Sequence, residues 1–250
     1  AYGKVATEKD FPNVEQEDLL NFYSDFYINA KPVIFIVGIY NKALHERLAD
    51  FSNTFSGVSP EKIAVETSQL KGEMYESKEG AIQTAIRVGR LLFDKNHPDY
   101  FGFQVLNTIL GGYFGSRLMA NIREDKGYTY GIGSGVAVLD QASYFFISTQ
   151  VGRDVKGDTI SEIYKELELL RDVEVDQEEL LKVKNYLLGD FLRQSDGPYA
   201  MMECFKNIYF NGLPISYYSD FIKAVNDITP AELKRIASKY LMKEDLLVLS

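Results

Sequence analysis

The stretch Leu110-Gly-Gly-Tyr-Phe-Gly-Ser-Arg-Leu-Met-Ala-Asn-Ile-Arg-Glu-Asp-Lys-Gly-Tyr-Thr-Tyr130 decides how this chain is read. Glycines punctuate both ends of a short amphipathic segment. Upstream, His97-Pro98-Asp99 starts a helix carrying Phe101, Val105, Leu106, Ile109 and Leu110, and Gly111-Gly112 ends it. Ser116 is placed to cap the next helix, which runs to Gly127. Downstream, Tyr128–Val138 and Ala142–Val151 read as an antiparallel hairpin around Leu139-Asp140-Gln141. The glycine cluster 111–115 superficially suggests a phosphate loop. Phosphate fingerprints follow a strand, however, and here a helix precedes and no Gly-Lys-Ser/Thr follows. A tight turn between helices is the better account.

Arg123 falls near the end of its helix, with Tyr130 a few residues into the following strand, so the two can meet at one end of a sheet. A guanidinium holds carbonyls or a carboxylate by a fork of donors, and a phenol can donate to the oxyanion of a tetrahedral intermediate. Spacing alone leaves a plainer reading open. An Arg near a helix C-terminus favours the dipole, and a Tyr in a strand is commonly core. Gly131, Gly133 and Gly135 alternate and leave one strand face nearly bare; a packed helix is expected over it ahead of a bound peptide.

Composition narrows the class. The 250 residues could form one large domain or two modest ones, with ample apolar content and no sign of disorder. A formal net charge of −9 argues against an extended phosphate-binding surface, so no nucleic acid is expected. A solvated acidic surface explains the charge better than a taste for cationic peptides. The longest strongly apolar run, Pro32–Tyr40, is far short of the ~20 residues of a membrane helix, so no membrane insertion is expected. A soluble chain is expected, cytoplasmic or periplasmic for a bacterial source. Cys204 is alone and sits in a helical pattern where a small buried apolar residue is expected. Ala1-Tyr-Gly-Lys-Val reads as an interior start, hence a fragment or processed chain.

Outward from the central stretch, a weak internal repeat is visible. Val14–Gly38 aligns on Ile228–Ser250: Leu19, Phe22 and Phe26 match Leu233, Ile236 and Tyr240, and the strand Val33-Ile34-Phe35 matches Leu247-Val248-Leu249. The second copy opens with Thr229 as N-cap, Pro230 at the first helical position and Glu232 completing a capping box. Lys42–Phe55 forms another helix, and Gly57-Val58-Ser59-Pro60 begins a polar linker to about Leu70. Glu73–Ser77 and Ala81–Gly89 read as strands. After the hairpin the chain turns helical, with stripes at Ile160, Ile163, Leu167 and Leu170 and at Leu180, Val183, Leu187 and Phe191, the latter opened by Asp176 and Glu179. Shorter helices follow around Met202–Phe210 and Tyr217–Val225. The expected fold class is α+β, a mainly antiparallel sheet with helices packed on one face, preceded by a helix–strand–helix remnant. Ser59-Pro-Glu-Lys62 matches S-x-x-K but lacks its S-D-N and K-T-G partners and is set aside.

The Gly-Gly turn, Ser116-Arg117-Leu118, Ile122-Arg123-Glu124 and the Gly127 step into Tyr130 resemble the signature in the second half of insulinase-type (pitrilysin-like) zinc metallopeptidases. The resemblance spans nearly the whole chain and is specific at 110–130. That family binds zinc through H-x-x-E-H, which this sequence lacks. His45 and His97 are the only histidines, neither has a second ligand nearby, and both are expected at the surface. The resemblance therefore implies a C-terminal, non-zinc half: residues 1–70 as the end of a first peptidase-like domain plus linker, and 71–250 as a second. It implies no cofactor in this chain and zinc in a partner domain or subunit. Arg123 and Tyr130 carry over as substrate clamp and oxyanion donor to a peptide held between the halves. Arg117 also fits the pattern, with a structural ion pair expected. This chain alone is expected to hydrolyse nothing. The other class left open is a catalytically inactive structural or assembly subunit, and a homodimer is one arrangement either class permits.

Overall fold

The computed structural model describes residues 5–55, 57, 66–77, 79–139 and 142–250. They divide into two compact units, 1–66 with 197–206, and 67–196 with 207–250. Most of the sequence-predicted linker, the Ser59–Lys62 motif included, and the hairpin residues Asp140 and Gln141 lie outside the described residues.

In the first unit, α1 (Gln16–Tyr23) opens with a reciprocal Glu15/Asp18 capping box and continues into a π-helical turn, Ser24–Ile28. Asn41 caps α2 (Lys42–Ser52), its side chain accepting from the Leu44 N–H at 2.9 Å. No described residue of this unit is buried. Phe22 and Phe26 stack obliquely at 4.7 Å, and each remains more than half exposed. The strand expected at Val33–Phe35 is not formed: that segment has no ladder partner among the described residues. A strand needs a neighbour to satisfy its amides, and this unit holds no other described strand. The internal repeat therefore persists in its helix and fails in its strand. Cys204, in α6 (Pro198–Phe210), is half-buried rather than buried, with Met201 and Phe205 exposed beside it.

The second unit carries a five-stranded sheet in the order β1-β5-β2-β4-β3, and is the expected α+β arrangement. β1 (Gly72–Met74) pairs parallel with β5 (Leu247–Leu249); β2 (Gln83–Leu92), β3 (Ile132–Val138) and β4 (Ser143–Gly152) pair antiparallel. Period-2 alternation assigns the faces. Ile86, Val88, Phe145, Ile147 and Val248 are buried beneath α3 (Tyr100–Asn107), α4 (Lys156–Asp172) and α8 (Pro230–Tyr240). Arg87, Gly89 and Leu91, paired with Ser148, Phe146 and Tyr144, occupy the opposite face. Apolar side chains from Leu106, Ile109, Leu110, Leu118 and Ile122 complete the core, each worth ~1.5–3 kcal/mol when fully buried.

Local signals act as expected at α5 (Gln177–Gln194), where Asp176 accepts from the Glu178 and Glu179 N–H groups, and at α8, where Thr229 accepts from Glu232. The boxes are not completed. Glu232 is held by Arg235, and Glu179 turns to Arg117. α7 (Tyr217–Asp227) packs between α3 and α5.

Candidate functional site

The central stretch folds as a turn between two helical segments. α3 unwinds into the π-helical turn Thr108–Gly112, which lies against β3. A Cβ at Gly111 would stand 2.6 Å from the Ser134 nitrogen and Oγ, so only glycine permits this approach. Ser134 Oγ donates to the Asn107 carbonyl at 3.2 Å and locks turn to strand. Ser116 then opens the next helix through its carbonyl, which accepts from Ala120 at 2.9 Å. The expected side-chain cap is not made: Ser116 Oγ is buried without a partner.

That helix, π-wound over Met119–Asp125, is pinned on both flanks. Arg117 makes a bidentate pair with Glu179 of α5, Nε–Oε1 at 2.9 Å and Nη2–Oε2 at 2.7 Å. Asn121 donates to Glu162 and Glu166 of α4 at 3.0 and 2.7 Å. Arg117 is thus the structural ion pair expected of it, and its hydrogen bonds to Glu179 hold the guanidinium more firmly charged. Gly127, at φ +66°, ends the helix in the left-handed region.

Tyr130 follows on a backbone held by hydroxyls. Thr129 Oγ1 bonds the Gln150 carbonyl at 2.7 Å, and the Gly131 N–H returns to Thr129 Oγ1 at 3.1 Å. Thr149 joins at 2.9 Å to Thr129 Oγ1 and 3.0 Å to the Gly131 carbonyl. The residues on either side of Tyr130 are therefore fixed to β4, while its own side chain is 95 % exposed. It lines a polar pocket of about 260 Å³ with Gln83, Arg87, Ser148 and Gln150.

Arg123 is placed differently. Its guanidinium carbon lies 4.9 Å from the Phe114 ring centroid, and Nη1 pairs with Glu124 at 2.7 Å. Its side chain is 32 % exposed, but it does not line the Tyr130 pocket. The cation beside Tyr130 is Arg87, which spacing around Tyr130 could not flag because it arrives from β2. Alternation with Ile86 and Val88 does assign it to the outward face. The alternating glycines also differ from one another: a Cβ on Gly133 would meet the Gly111 carbonyl at 3.3 Å, one on Gly135 the Phe146 ring at 3.0 Å, and one on Gly131 nothing. A helical turn approaches one of the three, and a side chain covers another.

A family model described as the peptidase M16 inactive domain matches residues 13–187. The chain belongs to this family. Among curated relatives, an uncharacterized zinc protease YmxG of Bacillus subtilis is 20 % identical over 246 residues, covering 98 % of this chain and 59 % of the relative. A Helicobacter pylori protein named a non-peptidase homolog, also YmxG, is 23 % identical, covering 92 % of this chain and 58 % of its own length. The crystal structure of a peptidase M16 inactive domain from Pseudomonas fluorescens superposes with a TM-score of 0.81 at 24 % identity, over 97 % of this chain and 58 % of that one. The M16 chain here spans under two thirds of the length of each.

Among the described residues no group of three or more His, Cys, Asp or Glu side chains could hold a metal. His97 is half-buried rather than at the surface; it stacks on Phe93 at 4.1 Å, and its Nδ1 accepts from the Asp99 N–H at 3.0 Å. No helix among the described residues is long and apolar enough to cross a membrane.

Proposed function

We propose that this chain is the substrate-binding, zinc-free half of an insulinase-type metallopeptidase. It acts on a peptide clasped against a homologous half that carries H-x-x-E-H and the zinc. On this reading residues 1–70 are the end of that homologous half plus linker, and 71–250 form the second domain; the break between compact units at 66/67 supports the division. Tyr130 donates to the oxyanion of the tetrahedral intermediate, and Arg123 steadies the substrate from the neighbouring helix.

The observation that carries the reading is Tyr130 itself. Its phenol has no hydrogen-bond partner among the described residues and is almost wholly exposed, while Thr129 and Thr149 fix the residues that flank it. A phenol carried between anchored neighbours, with its hydroxyl open to an incoming group, suits a charge that develops only in the transition state. The test mixes the chain with the zinc-bearing half and compares Tyr130→Phe. A donor lost from an oxyanion costs ~3 kcal/mol, so kcat should fall on the order of a hundredfold with KM little changed. An unchanged kcat refutes the role, and so does peptide hydrolysis by the chain alone.

A second reading, an inactive scaffold in a homodimer or larger assembly, is favoured by the name of the Helicobacter pylori relative, a non-peptidase homolog. A search of the adjoining coding sequence for H-x-x-E-H separates the two.

A further inference from the structure

The outward sheet face carries three adjoining pockets, and Arg87 lines all of them. The first, about 440 Å³, is walled by Leu70, Leu91, Tyr144, Phe146 and Leu249. The second is the Tyr130 pocket. The third, about 1030 Å³, is lined in addition by Glu76, Arg153 and Lys156.

Arg87 sits where the three pockets meet. Its guanidinium donates to the neighbouring Ile86 carbonyl at 3.1 Å and meets no carboxylate among the described residues. Three positions along the same strand, Arg90 is neutralised by Asp245 at 3.2 Å. Arg117 is matched by Glu179 and Arg235 by Asp99 and Glu232. In a chain with 36 acidic and 27 basic side chains, a cation left without a carboxylate at the junction of three pockets is an open charge site. A guanidinium fork matches a carboxylate, and the low-dielectric apolar wall beside it strengthens that match.

We propose that Arg87 binds an acidic side chain of the peptide substrate, and that the apolar pocket beside it takes a bulky apolar side chain two positions away. Charge complementarity selects this occupant: Arg87 meets no carboxylate among the described residues, and Glu76 is the single acidic residue among those lining the three pockets. The two-residue offset follows from an extended peptide, whose side chains i and i+2 share a face. This deepens the peptidase-half reading by naming the substrate class, and its binding test needs no turnover.

The probe is an N-terminally fluorescein-labelled, C-terminally amidated Ala-Phe-Ala-Glu-Ala-Phe-Ala, titrated with the 250-residue chain by fluorescence anisotropy. The same peptide with Gln or Lys replacing Glu serves as comparison. The Glu peptide should bind at least about tenfold tighter than the Gln peptide, the scale of one charge-assisted hydrogen bond, with Lys weakest. Arg87→Gln should bring the Glu/Gln ratio below about twofold while the Gln peptide binds as before, which also reports intact folding; Arg87→Lys should keep part of the preference. Equal affinities for Glu and Gln overturn the proposal, as does a preference that survives Arg87→Gln. One further result does the same: a face closed by a second copy of the chain that no peptide displaces. If these preferences hold but neither peptide is hydrolysed beside the zinc half, the peptidase reading fails and the acidic-peptide site stands.

Discussion

Thr129→Val tests whether the site's backbone is held as described. One hydroxyl can donate once and accept twice. Thr129 donates to the Gln150 carbonyl and accepts from the Gly131 N–H and Thr149 Oγ1. In the variant Thr149 keeps a partner in the Gly131 carbonyl, so two bonds are lost outright. At about 1 kcal/mol net each, and with water able to reach the half-exposed position, the cost is about 1–2 kcal/mol. For a domain of this size that lowers Tm by about 2–8 °C. Calorimetry reads the global loss, and amide hydrogen exchange reads the local one: Gly131 should lose protection while Ile147 in the middle of β4 keeps it. Thr129→Ser should restore both. The reasoning fails if Ser and Val behave alike, or if Gly131 exchange is unmoved while Tm falls.

Other consequences follow from named contacts. Asp99 is buried, which pushes its carboxyl up, but hydrogen bonds from Tyr240, Arg235 and Lys239 outweigh this and hold it well below the usual carboxylate range. Its folded value lies under the unfolded ~3.9, so its stabilisation is present above about pH 4 and is lost as pH falls towards the folded value. Asp99→Asn should cost about 2–4 kcal/mol at pH 7 in urea melts and flatten the acid limb below pH 4. Gly111→Ala should destabilise by about 1–3 kcal/mol, since its methyl meets the β3 backbone, which cannot swing away; thermal unfolding checks this. Arg117→Ala should cost about 1–3 kcal/mol by urea melts, with Glu179→Ala no worse and the double variant less than additive.

Features that depend on neighbours in sequence were legible without coordinates. The caps at Asp176 and Thr229 are local hydrogen bonds, and the amphipathic stripes of α4, α5 and α8 are local periodicities; all appear where expected. The Gly-Gly…Arg…Tyr segment was likewise readable as a family mark, and Arg117 as an ion pair. Other outcomes depend on what lies across space. Val33–Phe35 has strand composition but no described partner, whereas Leu247–Leu249, its counterpart in the repeat, is inserted between β1 and β2. Glu179 and Glu232 satisfy the capping pattern on paper, yet an Arg makes the stronger charge-assisted bond and takes each of them.

The amino-acid order alone determined the α+β class, the helical second half and the family, because these rest on periodicity, turn chemistry and a contiguous motif. Tertiary structure decided that Tyr130 faces solvent on a clasped backbone, and that Arg87, forty-three residues earlier, shares its pocket while Arg123 lies over Phe114. Which cation meets which phenol is settled by strand pairing, and strand register is a long-range property that no short window of sequence contains.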